Sequence, residues 1–258
     1  MSENDHGVED SPAIETHDLV RSFDDFLAVD SIGLRVPRGC FFGFLGPNGA
    51  GKSTTIKMLT GLLRITSGGA SILGHDVERD ARAVKRLIGV VPEDLPLFEG
   101  LTAAENLAFV ARMHGLPRAQ IAGRSGELLE MMDLTAGKKL VADFSHGMRK
   151  KLALACALIP GPRVLFLDEP FEGIDAVASR HIRALLEDLT ERGVTVFLTS
   201  HILEIVDRLC THVAVIHRGK LVAQGAVAEM GIDRTLEEIF LDLVDADPQD
   251  RPTLSWLA

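Results

Sequence analysis

The strongest chemical signal in the chain is the run Gly46-Pro47-Asn48-Gly49-Ala50-Gly51-Lys52-Ser53, followed by Thr54, which matches Gly-x-x-x-x-Gly-Lys-Ser/Thr at every fixed position. Glycines let successive backbone amides turn inward, and a helix after the loop aims its positive end at the same point, so such a cavity suits a polyphosphate. Lys52 supplies a point charge for the outer phosphates, and the Ser53 hydroxyl a ligand for Mg2+. A chance glycine turn is the plain alternative, and a strand before with a helix after argues against it. The second signal is Val164-Leu165-Phe166-Leu167-Asp168-Glu169-Pro170, where two carboxylates stand at the end of an apolar strand. Asp168 is suited to hold Mg2+, usually through a water, and Glu169 to polarise the water that attacks a γ-phosphate. By itself the pair also reads as a strand leaving into a charged turn. The glycine loop alone does not separate kinases, GTPases and ATPases, but the absence of Asn-Lys-x-Asp and Thr-Lys-x-Asp lowers the GTPase reading.

The elements that must position these groups follow from the apolar pattern. Leu34 to Val36 and Phe41 to Leu45 flank the turn Pro37-Arg38-Gly39, and a helix is expected from about Lys52 to Leu62. Further strands are expected at Ala70 to Leu73, Leu87 to Val91, Val164 to Leu167, Val194 to Leu198 and His212 to Ile216. Several are almost wholly apolar, which belongs in a sheet covered on both faces. Between Glu93 and Pro160 the pattern turns helical. Thr102-Ala103-Ala104-Glu105 reads as a capping box, Leu107, Val110 and Ala111 share one face, and helices are expected around Glu127 to Met132 and Gly147 to Ile159. An all-helical insert therefore interrupts an α/β core.

Composition narrows the setting. With 258 residues, 46% hydrophobic and 25% charged, the chain can bury a substantial core. No apolar run reaches the roughly 18 to 20 residues that span a bilayer. A net charge of -10 disfavours broad adhesion to nucleic acid or anionic lipid. Met1 to Pro12 lacks the layout of an export signal. Cys40, Cys156 and Cys210 are far apart among apolar neighbours, as core fillers in a reducing compartment would be. Most histidines, among them His75, His114, His181, His212 and His217, read as solvated or satisfied surface groups.

Together, the loop, the paired acids and the helical insert resemble the nucleotide-binding subunits of ABC transporters, over about Ile14 to Phe240. Four further segments carry the resemblance. Phe23 stands where the family has an aromatic ring that stacks on adenine, although a core Phe is the plain reading. Phe144-Ser145-His146-Gly147-Met148 stands where the family signature, usually Leu-Ser-Gly-Gly-Gln, would be. Ser145 and Gly147 match it, whereas Phe144, His146 and Met148 depart. Gly173-Ile174-Asp175 resembles the D-loop, with a helix cap by Asp175 as a second role. His201, after Thr199-Ser200, resembles the switch histidine. Val91-Pro92-Glu93 occupies the Q-loop, with Glu where most relatives have Gln, which puts a negative charge near the metal.

The resemblance implies a P-loop NTPase core with a mainly parallel sheet, an N-terminal antiparallel β subdomain and an inserted helical subdomain. The expected divisions are a flexible tail at 1–12, the core at 13–92 and 160–225, the helical subdomain at 93–159 and a helical tail at 226–258. It implies ATP and Mg2+ as ligands. Gly46 to Thr54 with Phe23 would bind ATP, with Ser53, Asp168 and Glu93 near the metal and Lys52, Glu169 and His201 in catalysis. Ser145, Gly147 and Asp175 would act across a seam with a second nucleotide-binding subunit, expected to be an identical chain. Closure of the pair would drive a polytopic membrane subunit, docked at the helical insert from Glu93 on, with no nucleic acid partner. The chain would then lie in the cytoplasm on the inner face of the cell membrane. Glu93, the His in the signature and Leu236-Glu237-Glu238-Ile239-Phe240 are similar to the ABC-2 exporter branch, which moves drugs, antibiotics, ions or polysaccharides. Two alternatives stay open: a soluble ATPase of the same family acting on nucleic acid or ribosomes, and a nucleotide sensor without turnover.

Overall fold

The computed structural model describes residues 11–134 and 137–230. Its first strands, β1 (Ile14–Phe23) and β2 (Phe26–Ile32), form a hairpin closed by Asp24 and Asp25, with Asp24 at φ 48°. Positive φ is what a two-residue turn of this hand demands. β3 (Arg35–Val36) returns along β1, and β4 (Phe41–Leu45) runs into the glycine loop. Then follow α1 (Lys52–Leu59), β5 (Ser67–Ile72), β6 (His75–Asp76), α2 (Ala81–Leu87) and β7 (Ile88–Val91). From there to residue 163 the named elements are helical: α3 (Ala103–Met113), α4 (Arg118–Met131), a 3-10 turn at Val141–Asp143, and α5 (His146–Leu158). The core resumes with β8 (Val164–Asp168), α6 (Ala176–Glu191), β9 (Thr195–Ser200), α7 (Leu203–Leu209), β10 (His212–His217), β11 (Lys220–Ala226) and α8 (Val227–Met230).

Two sheets result. The first is antiparallel, in the order β2-β1-β5-β6 with β3 on β1. In the second, ordered β11-β10-β4-β9-β8-β7, every pairing is parallel except that of the edge strand β11. Its three central strands are fully buried, so they read as continuous apolar runs. Alternation sorts their side chains: Phe42, Phe44, Phe166 and Phe197 join one core, while Phe41, Leu45, Leu165, Leu167, Val196 and Leu198 join the other. Phe197 is the hub of its face, with ring centroids 5.5 Å from Phe42, Phe44 and Phe166. The three cysteines are free and buried, and burial pushes the thiols of Cys40 and Cys156 up to about 12.

The sequence pattern identified the buried strands and the half-buried β5, and passed over β1, β2 and β11. β1 and β2 precede Leu34, the first residue expected in a strand, because register shifts within their pairing break the two-residue alternation. α4 begins at Arg118, well before Glu127, since its first turns bury only Ile121 and Ser125 and include Gly123 and Gly126. α1 stops at Leu59, short of Leu62. Of the expected C-terminal tail, Ala226 ends β11 and α8 follows; the Leu236 to Phe240 segment lies outside the described residues, as do Met1 to Asp10.

Candidate functional site

A cavity of about 460 Å³ opens at the carboxyl ends of the parallel strands and is lined by the glycine loop from Pro47 to Thr54 together with Glu93, Glu169, Glu172, His201, Phe26 and Ala28. Ligand sites in open α/β sheets lie at this edge. The loop can exist only with glycine at its two ends. A Cβ on Gly46 would meet the Ile216 carbonyl oxygen at 2.4 Å, and one on Gly51, at φ 110°, would meet the Ala28 carbonyl oxygen at 2.6 Å. Gly51 is also the N-cap of α1 and offers no side-chain acceptor, so the first amides of that helix are left for something in the cavity. The buried Lys52 Nζ donates to the carbonyls of Gly46 at 2.7 Å and Pro47 at 3.3 Å, which folds it back over the loop.

Opposite the loop, the two carboxylates at the end of β8 have different surroundings. Asp168 is buried and its Oδ1 accepts a 2.5 Å bond from the Thr199 hydroxyl. The same hydroxyl oxygen accepts from the Glu169 amide at 3.1 Å. Glu169 is also buried, yet its Oε1 accepts no hydrogen bond, although His201 Nδ1 lies 3.1 Å away and Lys52 Nζ 3.6 Å. These two basic groups pair with the oxygen without a well-aligned hydrogen bond, which leaves it able to accept one from a water in the cavity. The backbone at Glu169 is left-handed, at φ 46°, a conformation that costs a non-glycine residue about 1–2 kcal/mol. Beneath it Lys150 of α5 donates to the carbonyls of Glu169 and Glu172. Burial pulls the Lys150 ammonium below the usual lysine range, against the pull of nearby Glu172, Glu169 and Glu93.

Among the residues expected from sequence, Pro47 to Thr54, Glu93, Glu169 and His201 line one cavity, with Gly46 opening the loop and Asp168 directly behind it. Phe23 does not line it. It pairs with Phe26 across the β1–β2 turn and lies under the Arg21 guanidinium, 4.3 Å from ring centre, while Phe26, the more exposed at 64% against 41%, forms part of the cavity wall. Ser145, Gly147 and Asp175 stand apart from the loop but together. Ser145 caps α5 by accepting from the Met148 amide at 3.2 Å, and Asp175 caps α6 by accepting from Val177 and Ala178, each at 2.9 Å. A Cβ on Gly147 would lie 3.9 Å from Asp175 Oδ2, and one on Gly173 would lie 3.3 Å from His146 Nε2. Phe26, Thr199, Lys150 and Glu172 were not expected. Only the nearness of Thr199 to His201 was a signal in the sequence, since the other contacts arise from tertiary packing.

Comparison with known proteins agrees with this geometry. The family model for ABC transporters matches residues 29–172. The chain is 40% identical over 219 residues, 84% of its length, to the daunorubicin/doxorubicin resistance ATP-binding protein DrrA of Streptomyces peucetius, of which it covers 66%. It is 39% identical over 250 residues, 95% of its length, to the Nod factor export ATP-binding protein I of Cupriavidus metallidurans, of which it covers 81%. It thus spans somewhat less than two thirds of DrrA and 43% of YbhF of Escherichia coli. A solved structure of an ATP binding subunit of an ABC transporter superposes with TM-score 0.83 at 30% identity, covering 90% of this chain and 99% of that one. By its loop, its fold and these relatives, the chain belongs to the ABC transporter family and carries that family's ATP-binding cassette.

Proposed function

We propose that the chain binds Mg-ATP in the cavity at the glycine loop and hydrolyses it to power export through a separate membrane subunit. The observation that carries this reading is the buried Glu169 carboxylate oxygen, which accepts no hydrogen bond and faces an uncapped loop with Lys52 between them. The loop amides and Lys52 hold the phosphates, and Phe26, with Phe23 next to it on the hairpin, offers a flat face at the rim for the base. Glu169 accepts a proton from the attacking water as the new P–O bond forms and the bond to the β-phosphate oxygen breaks, giving ADP and phosphate. His201 steadies charge that develops on the transferred group.

The donors present fit Mg2+. Among the described residues no three His, Cys, Asp or Glu cluster as a self-sufficient metal site. Mg2+ commonly takes one or two protein ligands and completes its shell with phosphate oxygens and waters. Ser53 and Asp168 would hold it, with Glu93 nearby, and it would supply charge neutralisation of the phosphates. Replacing Glu169 by Gln should lower turnover by about 10² to 10⁴ while sparing Mg-ATP binding, measured by phosphate release and calorimetry. Near-normal turnover would remove Glu169 from this role.

Two partners complete the reading. Ser145 and Gly147 lie outside the chain's own cavity, which supports their use on the nucleotide of a second copy, with Asp175 at the same seam. Among the described residues no helix is long and apolar enough to cross a membrane. An apolar cleft of about 390 Å³ between core and insert, with Leu62, Pro92, Leu97 and Val110 in its wall, suits a cytoplasmic helix of the membrane subunit. The names of the relatives, drug resistance and Nod factor export, support the export branch. Pull-down from detergent-solubilised membranes should recover a polytopic protein, and recovery of RNA or ribosomes instead would overturn the transport assignment.

A further inference from the structure

Lys150 is a second buried lysine near the site, 6% exposed, and the nucleotide loop does not use it. It stands on α5 five residues after Ser145, about one and a half helical turns along. Its Nζ donates to the Glu169 carbonyl at 2.7 Å and to the Glu172 carbonyl at 2.5 Å. Those carbonyls begin and end the turn Glu169-Pro170-Phe171-Glu172, whose own backbone bond, Glu172 amide to Glu169 carbonyl, is long at 3.3 Å. We propose that Lys150 is a positioning residue for Glu169: its ammonium clamps both ends of this turn and so holds the left-handed backbone that directs the Glu169 carboxylate into the cavity.

The need for such a clamp follows from the geometry. At φ 46° Glu169 is in a conformation it would leave if free to do so. Its amide is fixed by the Thr199 hydroxyl on one side, and its carbonyl by Lys150 on the other. Among the described residues, the long turn bond is the other hydrogen bond to that carbonyl. A buried ammonium persists only where partners repay its lost hydration, and charge-assisted bonds to two carbonyls do so. Because Lys150 shares α5 with Ser145, the helix that presents the signature segment also fixes the hydrolytic glutamate of the same chain. The inference rests on the reading of Glu169 as the hydrolytic base.

The test compares Lys150→Met and Lys150→Arg in the wild-type and Glu169→Gln backgrounds, reading kcat for phosphate release and Kd for Mg-ATP. Lys150→Met is expected to lower kcat at least about tenfold with Kd within about threefold, since the clamp acts on the base and not on the phosphate grip. Lys150→Arg, whose planar fork can meet both carbonyls, is expected to recover most of kcat. In the Glu169→Gln background Lys150→Met should cost less than about twofold more, because two groups acting as a unit are not additive. An unchanged kcat in folded Lys150→Met, or the same tenfold loss in both backgrounds, overturns the proposal. If Lys150→Met does not accumulate as folded protein, Lys150→Gln replaces it under the same criteria, since its shorter amide does not span both carbonyls. A wild type that does not hydrolyse Mg-ATP takes this inference down with the functional reading, whereas a hydrolysing wild type with a silent Lys150→Met removes this inference alone.

Discussion

Two helix N-termini carry the functional sequence of this chain, and they are finished in opposite ways. α1 starts at Gly51 with no side-chain cap, inside a cavity, with a buried lysine folded over the loop that precedes it. α5 starts at an exposed Ser145 that caps its own helix through the Met148 amide, against the Gly173–Asp175 segment and away from the cavity. The first end has free amides and enclosing walls, which is what binding an anion in one chain requires. The second has a closed cap at an exposed serine outside the cavity of the glycine loop, which fits the proposal that it serves the nucleotide of a second copy.

Mutations should separate the two ends. The largest effect is expected from Glu169→Gln, with about 10² to 10⁴ lost from kcat at unchanged Mg-ATP affinity, read by phosphate release. Next, Gly46→Ala introduces a Cβ 2.4 Å from the Ile216 carbonyl oxygen, so the loop must shift. Calorimetry should show Mg-ATP affinity reduced at least tenfold, by about 1.4 kcal/mol or more, and retained affinity would break the claim that the uncapped end is the binding end. Ser145→Ala removes a helix cap worth about 1 kcal/mol, visible in urea unfolding. It should leave Mg-ATP binding by a single chain intact while lowering turnover at concentrations where chains pair, so equal turnover across a concentration series would remove α5 from a shared site.

The smallest effect is at Glu105, which completes the capping box of α3 and whose carboxyl is held below its usual value by the amide of Thr102. A carboxylate favoured by folding adds stability above its unfolded pKa, near 4.5, and that stability fades as pH falls through the lower folded value. Glu105→Gln should therefore lower the thermal midpoint slightly at neutral pH, and the difference from wild type should shrink as pH falls below about 4.5. An unaltered acid limb would show that this cap does not contribute.

What could be read from sequence was what local spacing encodes. The glycine loop, the acids after a buried strand, β4 at Phe41 to Leu45 and the Thr102–Glu105 box each depend on residues within a few positions of one another. The half-buried strands β1 and β2 were lost in register shifts. Phe26 and Phe23 are three apart on one hairpin, and only the turn between them decides which reaches the cavity. Lys150 lies within Arg149-Lys150-Lys151, a run that reads as surface charge until α5 packs against the 169–172 turn and buries its middle member.

The most direct test is a calorimetric titration of Glu169→Gln protein with Mg-ATP, where hydrolysis no longer obscures binding. Saturable binding that Gly46→Ala weakens is the result expected from a loop and lysine built to hold a triphosphate. No heat of binding in correctly folded protein would contradict that claim at its root.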